Sequence, residues 1–385
     1  MAALQHIVRS GILLAFACAA APISTVRRAH PQGLRGRGLL HCDEVVNSSS
    51  SNTTTCVINS SVTAASLSIQ FPGDIAFAQG AAITVTQGDF VVQAQGGITF
   101  GGNATAKVRG NASLSGASIS VSDASSLLVR GNLSASAGNV TLSGNASLRL
   151  KGDANVTSIV VSLNQNASLS AGSIHIAGKH VAMMGQASMR AVNVSVMAGS
   201  SHAESYGNVV LVASIVAWDV SIITDGNVHL TGALQGWSDV NSLSSNDDIA
   251  VRVVTLRNVT MGLQGGQWNT RKFVVVADHI SMTNQTVHTG GTSCINERAS
   301  KLDQCLQYLQ YWPVSPNGTR GTSSALKDTN VSFDLQLVAH ASLMLQSAHL
   351  SAGSMLVCSG AALGVDASTL DAKGRGCGPG EGAGR

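Results

Sequence analysis

The segment GNASLRLKGDANVTSIVVSLNQNASLSAGSIHIAG, residues 144–178, contains the tetrapeptide NASL twice, with starts 21 residues apart at Asn145 and Asn166. The interval extends in both directions along the chain. Similar segments start at Ala104, Ser125, Ala146 and Ala167 in steps of 21, then at Ala187, Asn208, Asn227 and Asp248 in steps of 20, 21, 19 and 21. A period of this length is typical of repeat proteins, in which each unit stacks on its neighbours.

Apolar and polar residues alternate within each unit at a spacing of two, which is the period of a β-strand. Superimposing the units gives apolar columns: Ala106, Leu127, Leu148 and Leu169; Val108, Val129, Leu150 and Ala171; Ile119, Val140 and Val161; Val121, Leu142 and Leu163. A fifth column consists of Gly110, Gly131 and Gly152. Such short units cannot bury an apolar face alone. The pattern predicts an all-β fold, a right-handed parallel β-helix with coils of about 21 residues. A β-sandwich array is the alternative, although it does not require a constant period.

The composition limits the possible functions. Charged residues make up 11% of the chain and aromatic residues 4%, whereas about a quarter of an ordinary domain is charged. The net charge is only +3, and the charges are scattered along the chain. The sequence contains no stripe of lysine and arginine that would indicate nucleic-acid binding. We expect no cofactor and no metal site.

The N-terminal residues 1–23 resemble a secretory signal peptide. His6 and Arg9 flank the apolar run at residues 11–22, which is too short to span a bilayer. We expect cleavage between Ala19 and Ser24. Further along the chain no apolar stretch has the length of a membrane span. The chain is therefore expected to be secreted or held at the cell surface, with any anchor located beyond residue 385.

The repeat divides the remaining chain into five segments. We expect a cap or linker at 24–61, β-helical coils at 62–288, and an insertion with one short helix at 289–326. Coils then resume at 327–370. A glycine-rich tail follows at 371–385, where we expect the repeat to be truncated.

Six cysteines remain once Cys18 is removed with the signal peptide. An even number in a secreted chain predicts disulfides, although six cysteines allow about 15 connectivities. Proximity in the sequence favours the pairs Cys42–Cys56, Cys294–Cys305 and Cys358–Cys377.

Fifteen N-x-S/T sequons are present. They lie at Asn47, Asn52, Asn59, Asn103, Asn111, Asn132, Asn139, Asn145, Asn155, Asn166, Asn193, Asn258, Asn284, Asn317 and Asn330. Together with the signal peptide they predict a eukaryotic secretory glycoprotein.

The end of the chain resembles a known group of proteins. The sequence STLDAKGRGCGPGEGAG follows a β-helix rich in Ala, Ser and Val. This arrangement resembles large secreted or cell-surface β-helix glycoproteins of algae, oomycetes and other protists, in which solenoid stretches alternate with glycine-rich loops. The resemblance covers residues 60–385 in style and implies a structural or adhesive role outside the cell. It carries no functional residues over to this chain.

A second, local resemblance is to polygalacturonase-like hydrolases of the pectin-lyase fold. Asp225 lies about one coil before Asp247 and Asp248 in the text NDDIAV, and paired carboxylates are what glycoside hydrolysis requires. That family next needs a Gly-His-Gly and an Arg-x-Lys. The corresponding text, QGGQWNTRK, has no histidine, and its Arg271 and Lys272 are adjacent. A polysaccharide-active enzyme, or a degenerate relative that binds carbohydrate, is therefore the alternative to a non-catalytic glycoprotein.

Two tryptophans lie in a stretch without sequons, between Asn193 and Asn258. Trp218 and Trp237 each follow a segment start by ten residues, so they are expected to stack on adjacent coils. One interpretation is a contact surface for an extracellular polysaccharide or a cell-surface protein. The alternative is that both fill the interior, because the same column holds Leu114, Val156 and Met197 in earlier coils.

Overall fold

The computed structural model describes most of the repeat region. The described residues are 38–39, 42–47, 53–199, 207–212, 214–217, 219–224, 226–231, 234–235, 250–255, 257–262, 266–270, 272–289 and 334–372. All regular elements within these ranges are β-strands. No helix in the described part of the chain has the length and apolar character needed to cross a membrane.

The strands are short and follow one another closely along the chain. In order they are β1 Gly38–Leu39, β2 Glu44–Asn47, β3 Thr54–Ile58, β4 Ser61–Ala64, β5 Leu67–Phe71, β6 Asp74–Phe77, β7 Ala82–Val85, β8 Phe90–Ala94, β9 Gly97–Phe100, β10 Thr105–Val108, β11 Ala112–Val121, β12 Ser126–Val129, β13 Leu133–Leu142, β14 Ser147–Leu150, β15 Ala154–Leu163, β16 Ser168–Ser170 and β17 Ser173–Met183. The second half contains β18 Ser188–Arg190, β19 Asn193–Ala198, β20 Asn208–Leu211, β21 Ser214–Val216, β22 Asp219–Thr224, β23 Asn227–Leu230, β24 Leu234–Gln235, β25 Ala250–Thr255, β26 Asn258–Met261, β27 Gly266–Thr270, β28 Lys272–Thr283, β29 Gln285–Thr289, β30 Leu335–Gln346, β31 His349–Ser351, β32 Met355–Ser359, β33 Ala362–Asp366 and β34 Thr369–Asp371.

These strands form a β-solenoid of about eleven turns. Each coil contributes one short strand to a 13-stranded sheet, here called sheet B, and the rest of the coil to a 21-stranded sheet, sheet A. Sheet A covers two sides of the cross-section, because strands such as β11 pair with β8 in their first half and with β9 in their second half. With strands about 4.8 Å apart, eleven coils make a rod about 50 Å long.

The predicted columns are confirmed by the strand register. Leu127 pairs with Ala106 and Leu148 in parallel, and Val140 pairs with Ile119 and Val161. All of these side chains are buried in one continuous apolar core. Parallel pairing between residues about 21 apart excludes the antiparallel β-sandwich array.

The first coil is closed by a disulfide and an antiparallel strand. Strand β3 already pairs in parallel with β6, so the parallel ladder begins before residue 62, where the coils were expected to start. Strand β2 pairs antiparallel with the other edge of β3. The predicted disulfide Cys42–Cys56 is present, and it ties this outer segment to the core.

The coils on either side of the predicted insertion stack directly on each other. Strand β28 pairs with β30 from Phe273 and Leu335 to Thr283 and Gln346, although some sixty residues separate them in sequence. The expected insertion at 289–326, with its short helix and the pair Cys294–Cys305, lies outside the described residues apart from Thr289. The core therefore continues past this segment, with one register shift in the ladder between Ala277 and His279.

One part of the predicted register is wrong. The repeat interval predicts that Asn208 and Asn227 are segment starts equivalent to Ala187, but Asn208 pairs with His180 and Asn227 in sheet A. The successor of Ser188 in sheet B is Ser214, 26 residues later. The reason is a longer connection between β19, which ends at Ala198, and β20, which begins at Asn208. The repeat interval alone does not distinguish this longer connection from an ordinary coil.

Met197 is also misplaced by the predicted columns. Leu114 and Val156 are core residues, but the residue that continues their column is Val196, and Met197 is 46% exposed. The chain takes one residue fewer between Ser170 and Ile174 than between their partners Arg149 and Ala154. This shortened turn shifts every later side chain by one position, and a shift of one turns a side chain to the opposite face.

The column of Gly110, Gly131 and Gly152 marks a turn where consecutive coils approach closely. A Cβ on Gly131 would lie against Asn111 Oδ1 and 2.7 Å from the carbonyl oxygen of Gly110. We expect Gly131→Ala to lower the free energy of unfolding by about 2 kcal/mol, because the backbone of one coil must shift. Urea unfolding measures the effect. Gly101→Ala is the matched control, since the nearest atom to its Cβ is Ser122 Oγ at 3.4 Å, and equal losses in the two variants would contradict the explanation.

Candidate functional site

The sequon asparagines form the most extensive set of candidate site residues. Eleven of the fifteen have described side chains, and all eleven are exposed: Asn59, Asn103, Asn111, Asn132, Asn139, Asn145, Asn155, Asn166, Asn193, Asn258 and Asn284. They lie on the outer surface of the two sides of the rod that sheet A forms, and in the turns that lead into and out of sheet B. The other four sequons are not described in this way: only the backbone of Asn47 is described, and the described residues do not include Asn52, Asn317 and Asn330.

Several of these asparagines also hold neighbouring coils together. Asn111 Oδ1 accepts a hydrogen bond from the backbone N–H of Asn132, and Asn132 Oδ1 accepts one from the N–H of Asp153, each at 2.9 Å. The same column begins with Asp89, which accepts from Asn111, and continues through Asp153, which accepts from Ser173. The oxygen therefore stabilises the solenoid. The Nδ2 atoms of Asn111 and Asn132 make no hydrogen bond to another described residue.

Other sequons use the amide nitrogen. Asn166 Nδ2 donates to Asn145 Oδ1 at 3.0 Å, and Asn258 Nδ2 donates to Asn227 Oδ1 at 2.9 Å. Both bonds join adjacent coils on the solvent-exposed surface. The two types of ladder show that sequon asparagines have a structural role in addition to any modification.

The residues of the alternative catalytic site lie outside the described part of the chain. This applies to Asp225, Asp247 and Asp248, and equally to Trp218 and Trp237. The carboxylate pair and the stacked tryptophans therefore remain predictions. Trp268 is described, and sequence reasoning did not single it out. It is 3% exposed, packs edge-on against Phe273 with ring centroids 5.8 Å apart, and belongs to the core.

Of the predicted disulfides other than Cys42–Cys56, only one cysteine is described. Cys358 is disulfide-bonded and 4% exposed. Its expected partner Cys377 lies outside the described residues, so the pair Cys358–Cys377 remains a prediction.

The described titratable groups include a contact between His340 Nδ1 and Asp278 Oδ1 at 3.8 Å, and beside it His279 Nδ1 lies 2.8 Å from Ser342 Oγ. No group of three potential metal ligands occurs within the described ranges.

Burial lowers the pKa of His229 below its ordinary value, so its ring favours the neutral form. The pKa of His180 is lowered by burial and, to a smaller extent, by the charge of Lys179. Each histidine lies singly on the outer side of sheet A.

Sheet B brings together six basic residues that are distant in sequence. We call this set the basic face, and it comprises Lys107, Arg109, Arg130, Arg149, Lys151 and Arg190. All six are exposed. Arg109, Arg130 and Lys151 each follow the end of a sheet B strand, and their backbone N–H groups continue the ladder to the preceding coil. These three side chains are therefore stacked at the coil spacing of about 4.8 Å.

The second column of the basic face lies two residues earlier on the same strands. Lys107, Leu128, Arg149, Ser170 and Arg190 follow one another through the parallel register of β10, β12, β14, β16 and β18. Leu128 is 44% exposed, which confirms that this column points outward. A third outward column consists of hydroxyl side chains: Thr105, Ser126, Ser147, Ser168 and Ser188.

The basic face is not evident from the order of the charges along the chain. The charges are scattered along the chain, but the fold gathers them. A signal was present, because Arg109, Arg130 and Lys151 are separated by steps of 21 residues, the same interval as the apolar columns. The repeat period of these charged residues indicates the face in the same way that the period of the apolar residues indicates the core.

Comparison with known proteins gives no assignment. No protein-family model, no curated protein and no solved structure matches this chain.

Proposed function

We propose that this chain is a secreted or cell-surface structural glycoprotein. In this proposal the solenoid is a rigid rod that presents N-linked glycans and loops to extracellular partners, and it performs no catalysis. The observation that carries the proposal is the exposure of all eleven sequon asparagines whose side chains are described. A glycan is bulky and hydrophilic, so an acceptor asparagine must lie at the surface.

Two further features support an extracellular rod. The disulfide Cys42–Cys56 closes the first coil, and disulfides persist in oxidising compartments. A solenoid whose coils contact only their neighbours forms an extended surface, which suits display and adhesion. The predicted signal peptide at 1–23 and the resemblance to protist β-helix glycoproteins agree with this role.

Glycan mapping tests the proposal. The chain is expressed in eukaryotic cells, collected from the medium, and treated with an amidase that releases N-glycans and converts each linked asparagine to aspartate. Peptide mass spectrometry then identifies the modified positions. We expect secretion and modification at most of the eleven exposed sequons. Secretion of folded chain with no modified sequon would contradict the proposal, as would hydrolysis of polygalacturonate by the purified protein.

Asn132 allows the glycan to be separated from the fold. We expect Asn132→Asp to lose its glycan and to keep the bond to the Asp153 N–H, as Asp89 and Asp153 accept the same kind of bond, with a loss of only a few tenths of a kcal/mol from the neighbouring carboxylate of Asp153. Asn132→Ala also loses the bond to the Asp153 N–H, and we expect it to be less stable by about 1 kcal/mol. Thermal unfolding of the two variants checks this difference. Equal stability would show that the ladder bond contributes nothing measurable.

A further inference from the structure

The basic face of sheet B has no explanation in the packing of the solenoid. In the same outward columns other coils carry Thr84, Thr86, Leu128 and Ser170, so the fold accepts uncharged residues there. Like charges directly opposite each other on a sheet are destabilising. The stack of Arg109, Arg130 and Lys151 therefore works against folding. An arrangement that costs stability and is not needed for packing indicates a role in binding.

Three described carboxylates beside sheet B form no ion pair with the column of Arg109, Arg130 and Lys151. Asp89, Asp123 and Asp153 lie in the turns that flank sheet B, and each accepts a backbone N–H of an adjacent coil at 2.8 to 2.9 Å. In the part of the chain that the structure describes, none of the three forms an ion pair. One oxygen of each carboxylate is engaged in its turn, and the three negative charges are fewer than the cations of the basic face, so a positive excess remains on this side of the rod.

The shape of the face restricts the ligand. The six cations span the coils from Lys107 to Arg190, a distance of about 19 Å along the rod at the spacing of stacked strands. The columns are straight and flat because the strands are parallel and in register. A linear polymer with regularly spaced anionic groups matches such a surface. The hydroxyl column beside the cations adds hydrogen-bond donors.

The sequons flank the basic face without entering it. Asn103, Asn145 and Asn166 lie in the turns before the sheet B strands, and Asn111 and Asn132 lie in the turns after them. Glycans at these positions would border a strip that runs parallel to the rod axis. This geometry favours a ligand that lies along the axis.

We infer that the basic face binds an extended acidic polysaccharide that carries sulfate or carboxylate groups. The extracellular nature of this ligand rests on the proposed function. Single-stranded nucleic acid is disfavoured, since such sites stack bases on aromatic side chains and the described residues of this face include none. Duplex recognition places a helix or ribbon in a groove, which a flat solenoid side does not provide.

The test measures binding of the full secreted chain to immobilised heparin and to polygalacturonate over a range of salt concentrations. Duplex DNA and phosphatidylserine vesicles are the competing probes. We compare wild type with Arg109→Gln/Arg130→Gln/Lys151→Gln. The control is Lys179→Gln/Arg257→Gln/Lys272→Gln, which removes the same charge from the sheet A side. Circular dichroism and melting verify that both variants fold. If the triple variant does not, the single variants Arg109→Gln and Lys151→Gln replace it.

We expect wild type to bind at least one of the two polysaccharides more tightly than it binds DNA or vesicles. Comparing the affinity for heparin with that for polygalacturonate shows whether sulfate or carboxylate groups are preferred. Removing three of six cations should weaken binding at least about tenfold at physiological salt and halve the slope of log affinity against log salt, roughly as counterion release predicts. The control should bind like wild type. The inference is overturned by no binding to either polysaccharide, by equal losses in both triple variants, or by DNA or vesicles binding as tightly. Failure of the chain to bind polysaccharide would not change the outcome of the glycan mapping. Equally, finding the sequons unmodified would not change a positive binding result.

Discussion

Replacing Leu127 by aspartate is expected to unfold the central coils, whereas the same replacement at Leu128 should leave the protein intact. The two leucines are neighbours on β12 and point to opposite sides. Leu127 is 1% exposed and stacks between Ala106 and Leu148, while Leu128 is 44% exposed between Lys107 and Arg149. An aspartate at 127 would bury a charge with no partner, and we expect a loss of about 4 kcal/mol or more.

Leu128→Asp is a closely matched control. It introduces the same residue one position away, and its carboxylate would lie next to two cations. We expect a change within about 0.5 kcal/mol of wild type. Urea unfolding followed by circular dichroism measures both variants. The assignment of inside and outside columns would be wrong if Leu127→Asp were as stable as wild type. It would also be wrong if Leu128→Asp lost as much stability as Leu127→Asp.

Removing the disulfide Cys42–Cys56 is expected to have the next largest effect. The bridge closes a loop with a sequence separation of 14 residues, which corresponds to about 3 kcal/mol of stabilisation in the chain-entropy account. In a solenoid each coil contacts only its neighbours, so unfolding of the variant without the disulfide should begin at the first coil. Hydrogen exchange should show faster opening at β3 and β6 than at β28.

Cys56 also packs in the core, and its contribution there must be separated from that of the bridge. It is 1% exposed, whereas Cys42 is only partly buried. Cys42→Ala removes the bridge and keeps the sulfur of Cys56 in place, so we expect this single variant to show most of the loss of Cys42→Ala/Cys56→Ala. If the single variant matched wild type, the stabilisation would come from packing.

The coil architecture could be predicted from sequence because stacking imposes the same requirement on every unit. Leu148 and Val161 are buried for the same reason as Leu127 and Val140, so the repeat reports burial directly. The errors occur where the number of residues per coil changes. The longer connection before Asn208 and the shortened turn before Ile174 both displace the register, and only the strand pairing shows where.

The candidate sites were predictable to different degrees. Exposure of the sequons follows from their turn and outward-strand positions, which the alternation of polar and apolar residues already indicates. The basic face depends on lateral neighbours that are 21 residues apart, such as Arg109 and Arg130, and a count of charge along the chain does not detect it.

The uniform register of the central coils has a consequence for how such a gene changes. Because Ser125 and Ala146 hold equivalent positions, excision of residues 126–146 would join Ser125 to Ser147, which pairs with Ser126 and takes its place. Duplication of the same segment would add a unit in the same way. Unequal recombination between the coding repeats would then lengthen or shorten the rod in whole steps of about 4.8 Å. Each step in this region also adds or removes one cation of the Arg109 column, so the length of the rod and the number of charges along it are inherited together.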